Sequence, residues 1–310
     1  MDEGHVLVIG SASRDVSGRP NREIKLGVSN PGRVLRRVGG VARNIAENLA
    51  RLEIDTVLLT AVGRDSSGKR VIKTCEDSGI NCSHLRIIPG ARTSSYLMVL
   101  QANGDLLTAI SDFEVMEHVN ADYLESSREL FESAAMIVVD ATLSPSALAK
   151  VFELAAHYQV RVCADPTLPS LAGRLCDYID QLYMVCPNAA ETTALCGLDS
   201  PANDFETAVD AARHLVSLGT KIAVVTMAEK GLAYADGNGG GFIPAINTRV
   251  VDSSGAGDAF SGAVIFGLLN DVPVDEAMRL GVTAASLTLQ SSLTVLPNLS
   301  QELLYEKLSI

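Results

Sequence analysis

The 310-residue chain contains no tryptophan, and aromatic residues make up only 5% of it. Its core must therefore be aliphatic, and a hydrophobic content of 47% is ample for one. Basic residues are also scarce: 25 Lys and Arg face 37 Asp and Glu, a formal net charge of −12. That balance argues against a nucleic-acid backbone or an anionic membrane surface as partner. A small phosphorylated ligand held by local N–H groups stays compatible with it. No apolar run approaches the roughly 18 residues of a membrane-spanning helix. The opening "MDEGHVLVIG" lacks a basic stretch before its apolar residues, so no secretion signal is expected and a cytoplasmic location is. The six cysteines (Cys75, Cys82, Cys163, Cys176, Cys186, Cys196) form no CxxC pair, which suits reduced thiols in or near the core.

What the chain does have is alternation. "VLVIGS" (6–11), "TVLLTAVG" (56–63), "MIVVDAT" (136–142), "VRVCADP" (160–166), "YMVCPN" (183–188) and "IAVVTMA" (222–228) read as buried strands. Amphipathic segments lie between them. One starts at Ser144-Pro145, and another, "DFETAVDAARHLVSLG", is acidic at its start and stops at Gly219. This order predicts one α/β domain over 1–310, with a mainly parallel sheet covered on both faces. Ligands of such sheets sit beyond the carboxyl ends of the strands, which brings Asp140, Asp165, Asn188 and Thr226 to one rim. Residues 15–38 and 92–113 break the alternation, the second reading as a hairpin turning at Asn103-Gly104. Two such insertions predict a small accessory sheet, either a lid or an edge decoration. "DGNGGG" (236–241) reads as a turn between strands.

Three motifs carry chemistry. In "VVDSSGAGDAFSG" (250–262), a strand-like stretch meets glycines and then a helix. The free N–H groups at a helix start favour an anion. Asp258 in that first turn fits either helix-end stabilisation or function. The stretch lacks the third glycine of a dinucleotide fingerprint and the Lys-Ser/Thr of a P-loop, which disfavours a Rossmann oxidoreductase. In "VGGVARNIAENLARL" (38–52), Gly39 and Gly40 would let a ligand approach the backbone, and Asn44 offers donors and acceptors to vicinal hydroxyls. Taken alone, the stretch reads more simply as a plain glycine turn before a surface helix. In "PNAAET" (187–192), Asn188 and Glu191 share a helix face, suiting either hydrated magnesium or a capping box.

Taken together and in this order, the motifs resemble the PfkB (ribokinase-like) family of carbohydrate and nucleoside kinases. The family's D-T-x-G-A-G-D signature is matched by Asp252-Ser253-Ser254-Gly255-Ala256-Gly257-Asp258, with Ser253 for the usual Thr. Its amino-terminal signature is matched by Gly39-Gly40-Val41-Ala42-Arg43-Asn44. The resemblance implies a ribokinase-like three-layer α/β/α sandwich with a small β-sheet lid, and a kinase using ATP and Mg2+. It implies that Asp258 is the base and that N–H groups of Gly255, Ala256 and Gly257 form an anion hole. It assigns Asp15, Gly40 and Asn44 to the sugar, with Ser13 where an Asn often stands. Asn188, Thr226 and Gly231 would bind nucleotide, and Glu191 would hold magnesium through water. In "TMAEKG" (226–231), Ala228 replaces the first glycine of the family's T-x-G-x-x-G segment.

Within the family, the GGVARN loop is most similar to that of pseudouridine kinases, whereas ribokinases carry GGKGAN. This implies a ribosyl 5′-hydroxyl acceptor, pseudouridine foremost, with Ser95 and Asp112 of the lid as candidates to touch a uracil ring. Ribose, another nucleoside and a sugar phosphate remain alternatives, the last because Arg33, Arg36 and Arg37 precede Gly39. An inactive nucleoside-binding regulator is the alternative of another class, which the presence of Asp258 opposes. The tail reads Ser291-Ser292-Leu293-Thr294 where ribokinases carry R-x-G-A, a departure from their monovalent-cation (K+) site. Exposed lid edges predict a homodimer.

Overall fold

The computed structural model describes residues 4–198 and 201–308; Asp2 and Glu3 of the acidic opening lie outside them. β1 (His5–Ile9), β2 (Ser13–Pro20) and β3 (Gly32–Gly39) precede helix α1 (Val41–Arg51). β4 (Thr56–Leu59), β5 (Ala61–Gly63) and α2 (Ser66–Asp77) follow, then β6 (Arg86–Ile88), β7 (Ser95–Leu100) and β8 (Leu106–Asp112). Short helices α3 (Ala121–Ser126) and α4 (Arg128–Glu132) lead to β9 (Ala134–Asp140), α5 (Pro145–Tyr158) and β10 (Val162–Asp165). Next come α6 (Pro169–Ala172), β11 (Met184–Val185), α7 (Ala189–Cys196) and α8 (Phe205–Ser217). β12 (Ile222–Thr226), β13 (Leu232–Asp236) and β14 (Gly239–Ile243) precede the helices α9 (Ala256–Leu269), α10 (Val274–Leu289) and α11 (Gln301–Glu306).

Eight strands form the central sheet in the order β14-β13-β12-β11-β10-β9-β1-β4. Its pairs are parallel except β12/β13 and β13/β14. Successive side chains of a strand point to opposite faces, and the two sides of this sheet are packed accordingly. Leu7, Ile9, Ile137, Val139 and Val225 join one core with residues of α5 and α8. Val6, Val8, Met136, Val138 and Val224 join the other with residues of α1, α9 and α10. The result is a three-layer α/β/α sandwich whose core is aliphatic on both sides.

Local chemistry sets the helix ends. Ser144 caps α5 by accepting the Ala147 N–H, and Pro145 opens it. Asp204 caps α8 by accepting from Thr207 N. A separate four-stranded sheet, β3-β2-β7-β8, lies outside the sandwich. Its outer hairpins are antiparallel, and β2 runs parallel to β7.

Three expectations differ. Residues 248–252 form no strand, because Val251 and Asp252 donate their N–H groups to Leu289 O at the end of α10 rather than to a sheet edge. Gly239–Gly241 belong to β14 rather than to a turn, pairing with Asp236, Ala235 and Tyr234. Space demands glycine at Gly240, where a Cβ would lie 2.4 Å from Tyr234 O. The stretch 56–63 splits, and Ala61–Gly63 leave the central sheet to pair with β6.

Candidate active site

The carboxyl ends of the parallel strands converge as parallel topology requires. Asp140 and Asp165 are register partners at the ends of β9 and β10, and Asn188 bridges Thr226. A cavity of about 170 Å³ opens there, lined among others by Asp165, Asn188, Glu191, Thr226, Gly257 and Asp258. A larger, open groove with Tyr183 and Asp236 on its wall lies at the other ends of the strands, away from these residues.

The glycine turn that starts α9 divides two tasks between its glycines. Gly255 caps the helix at φ 82°, and a Cβ there would lie 1.9 Å from Thr294 O. Its left-handed backbone and the tail packed against it both demand glycine. Gly257 is different: a Cβ there would meet no protein atom within 4 Å. The space beside it belongs to the cavity. Helix-start N–H groups have no intrahelical acceptor, so this turn presents donors to whatever enters.

Asp258 sits in the same first turn and is only 9% exposed. Asn44 Nδ2 donates to its Oδ2 at 2.5 Å. Burial pushes the Asp258 carboxyl up to about 7; the Asn44 hydrogen bond and Arg43 oppose this, while Asp140 and Asp15 add to it. α1 delivers Asn44 from a largely buried position, not from a surface helix.

Gly39 and Gly40 are demanded by the protein's own close packing. A Cβ at Gly39 would fall 1.8 Å from Asp15 Oδ2, and one at Gly40 would fall 2.5 Å from Ser11 O. Gly40 also holds φ 93°. Asp15 accepts from Ser13 Oγ at 2.6 Å, and burial raises its carboxyl above the usual range. Asp15 and Ser13 are thus together, on the strand that borders β3.

Asn188 and Glu191 form a complete capping box at the start of α7. Glu191 is buried nonetheless, and burial raises its carboxyl. Asp165 is raised well above the ordinary carboxylate range, first by burial and then by Glu191 and Asp258. Thr226 lines the cavity, whereas Gly231 does not: a Cβ there would strike Ile243 O at 2.1 Å. Ala228 is held at φ 50°, a left-handed conformation that favours glycine.

Ser95 and Asp112 are brought to each other but not to the cavity. They are register partners, and strand alternation puts them on the face of Leu97 and Ile110, opposite Tyr96 and Asp15. Asp112 pairs with Arg92 instead. Tyr96, which the sequence reading passed over, has its hydroxyl pKa raised by burial and by Asp15. Asp140 was also underread. It accepts from Ser11 N (2.8 Å), Ser11 Oγ (2.7 Å), Ala42 N (3.2 Å), Thr142 N (3.0 Å) and Thr142 Oγ1. It thereby ties the loop after β1 to the start of α1. An aspartate at a strand's carboxyl end, two residues before Thr142, was the available signal.

The geometry can be compared with known proteins. The family model described as pfkB family carbohydrate kinase matches residues 3–301. A pseudouridine kinase of Escherichia coli is 33% identical over 96% of this chain and 95% of its own length. A guanosine-inosine kinase of Exiguobacterium acetylicum is 26% identical over 93% of this chain and 95% of its own. Among solved structures, Arabidopsis thaliana ribokinase complexed with ribose and ATP superposes with a TM-score of 0.85. It covers 99% of each chain at 22% identity, a likeness of fold.

Proposed function

Because the chain belongs to the pfkB family of carbohydrate kinases, we propose that it phosphorylates the 5′-hydroxyl of a ribosyl compound with ATP, pseudouridine foremost. The observation that carries this reading is Asp258: a buried carboxylate, hydrogen-bonded by Asn44, at a helix start whose next-door glycine faces an open cavity. Asp258 takes the proton of the acceptor hydroxyl, and the freed oxygen forms a bond to the γ-phosphorus. The bond from that phosphorus to the β,γ-bridging oxygen breaks, and ADP leaves. The transition state is loose, so alignment and charge stabilisation outweigh covalent chemistry. N–H groups at Gly255, Ala256 and Gly257 stabilise the equatorial oxygens.

Asp165, Glu191 and Asp258 crowd one cavity, and each has its carboxyl raised. A cation relieves such an assembly. Glu191 and Asp165 would hold Mg2+ through water, and the ion would neutralise phosphate charge. Asn188 and Thr226 border the nucleotide, while Gly231 shapes the segment behind them. Asp15, Ser13, Gly40 and Asn44 hold the ribosyl hydroxyls, with Tyr96 on the same sheet face as Asp15. ATP as donor and six free thiols suit a cytoplasmic enzyme. No helix among the described residues is long and apolar enough to cross a membrane.

The small sheet acts as a lid in this reading, excluding water as a competing acceptor. Its outer face exposes Val34, Leu97 and Ile110, which supports a homodimer formed there. A monomer in light scattering would exclude that dimer. A sugar-phosphate acceptor is less well served: Arg33 and Arg36 are exposed, and Arg37 is paired with Asp252.

The deciding assay supplies Mg-ATP with pseudouridine, uridine, cytidine, adenosine, ribose or fructose 1-phosphate and follows ADP. Pseudouridine should give the highest kcat/KM. Equal rates with uridine or ribose would remove the substrate assignment and leave the family chemistry.

A further inference from the structure

Arg43 is the bulkiest of the fully buried side chains, at 1% exposure. Periodicity alone gives no reason for a guanidinium there, and burying one costs several kcal/mol unless it is fully paired. Its partners are informative. Nε donates to Gly39 O at 3.2 Å, and Nη1 pairs with the Glu47 carboxylate. Nη2 faces Val38 O at 2.6 Å, Thr294 Oγ1 at 3.0 Å and Asn44 Oδ1. Two of these partners lead to Asp258: Asn44 bonds it directly, and Thr294 packs on Gly255 at the start of the same helix.

An asparagine amide has two ends of nearly equal size and opposite polarity. Turned one way, Asn44 gives Nδ2 to Asp258. Turned the other, it sets Oδ1 against a carboxylate. A guanidinium has donors and no acceptor, so it bonds only the Oδ1 end. We infer that Arg43 is a positioning residue for phosphoryl transfer: it locks the Asn44 amide so that Nδ2 faces Asp258. The inference rests on Asp258 as the base. Its charge is matched by Glu47, itself bonded to Arg51 at 2.6 Å. The charge of Arg43 also opposes the rise of the Asp258 carboxyl, and its fork of N–H groups adds the hold on Asn44 Oδ1 that charge alone does not supply.

A double-mutant cycle separates this role from packing. Arg43→Lys keeps the charge beside Glu47 and loses the fork. Turnover of Mg-ATP is measured with pseudouridine, uridine and ribose supplied together, for wild type, Arg43→Lys, Asn44→Ala and the double variant. Arg43→Lys should lose about 10- to 100-fold in kcat, the scale of a misplaced catalytic group. In the Asn44→Ala background it should cost nothing further. Unchanged turnover in Arg43→Lys, or losses that multiply, would overturn the inference. If Arg43→Lys fails to fold, Arg43→Gln/Glu47→Gln, which removes both buried charges, takes its place.

Asp258→Asn and the side-chain amide NMR signals of Asn44 keep the two readings apart. If Asp258→Asn turns over like wild type, the base assignment fails. The Asn44 signals, assigned by their loss in Asn44→Ala, still decide the present inference. Unmoved signals in Arg43→Lys refute it, and shifted or exchange-broadened signals support it.

Discussion

Arg37 Nη2 donates to Asp252 Oδ2 at 2.6 Å, joining a strand of the small sheet to the loop that leads into α9. Both groups are mostly shielded from water, so the contact is charge-assisted and weakly screened. Arg37→Met keeps the bulk and removes the tie. It leaves Asp252 without that partner, which should cost about 1–3 kcal/mol of stability. A looser sheet also admits water as acceptor. The ratio of ADP formed to phosphorylated product should rise above one, read by paired assays. An unchanged ratio and an unchanged Tm would refute the coupling.

Asp258, read as the base, should show itself in the pH response. Its carboxyl is pushed up to about 7 in the folded chain, well above the unfolded value, mainly by burial. A base works when ionised, so kcat/KM should rise with pH through about 7 and then level off. Stability moves the other way. The folded state binds the Asp258 proton more tightly, so the contribution of this group to stability falls as pH climbs from about 4 to 7, and the raised carboxyls of Asp15, Asp165 and Glu191 act in the same direction. Asp258→Asn should therefore lose most turnover yet melt higher than wild type at pH 8, with little difference at pH 4. Thermal melts at the two pH values check this, and a lower Tm at pH 8 would contradict it.

The two glycines of the anion turn should respond differently to alanine. Gly255→Ala forces a Cβ onto Thr294 O at a left-handed φ, and strain of that kind costs about 1–3 kcal/mol before any clash is counted. Gly257→Ala meets no protein atom. Its Tm should equal or exceed that of wild type, since alanine at a helical position restricts the unfolded chain, while its methyl group intrudes on the transferred phosphoryl, lowering kcat at least about tenfold, or 1.4 kcal/mol of barrier. Full activity in Gly257→Ala would move the phosphoryl site elsewhere.

Ala228 holds a left-handed backbone at φ 50°, a conformation that favours glycine. Ala228→Gly removes that strain but loosens the unfolded chain, for a net gain of about 0.5–1 kcal/mol. Chemical denaturation should show a higher midpoint with the same slope. A lower midpoint would mean that the methyl group packs usefully.

The aliphatic strands, their helices and the rim of Asp140, Asp165, Asn188 and Thr226 were legible because burial on two faces writes itself into composition. Asp258, Asn44 and Gly255 were legible because their motif is dense. Other features were hidden for physical reasons. Residues 248–252 ("TRVVD") are strand-like, but the N–H groups of Val251 and Asp252 go to α10, a partner well along the chain. Ser95 and Asp112 lie on the outward face through a register that only pairing with β2 fixes. Arg43 has no periodic signature, because its burial depends on carbonyls of β3 and on Thr294 of the distant tail as well as on its own helix.

Asp140 pins the loop after β1 and the start of α1 to the end of a strand buried in the middle of the sheet. The small sheet is held at the end of β3, where Arg43 and Arg37 bond it, while Val34, Leu97 and Ile110 stand open to solvent on it. Resistance to opening should thus be uneven along the chain. In hydrogen-exchange experiments, the amides of β2, β3, β7 and β8 should trade with solvent through partial openings, while β1 and β9 wait for global unfolding. On heating, the protein would lose its grip on the acceptor before it lost its fold.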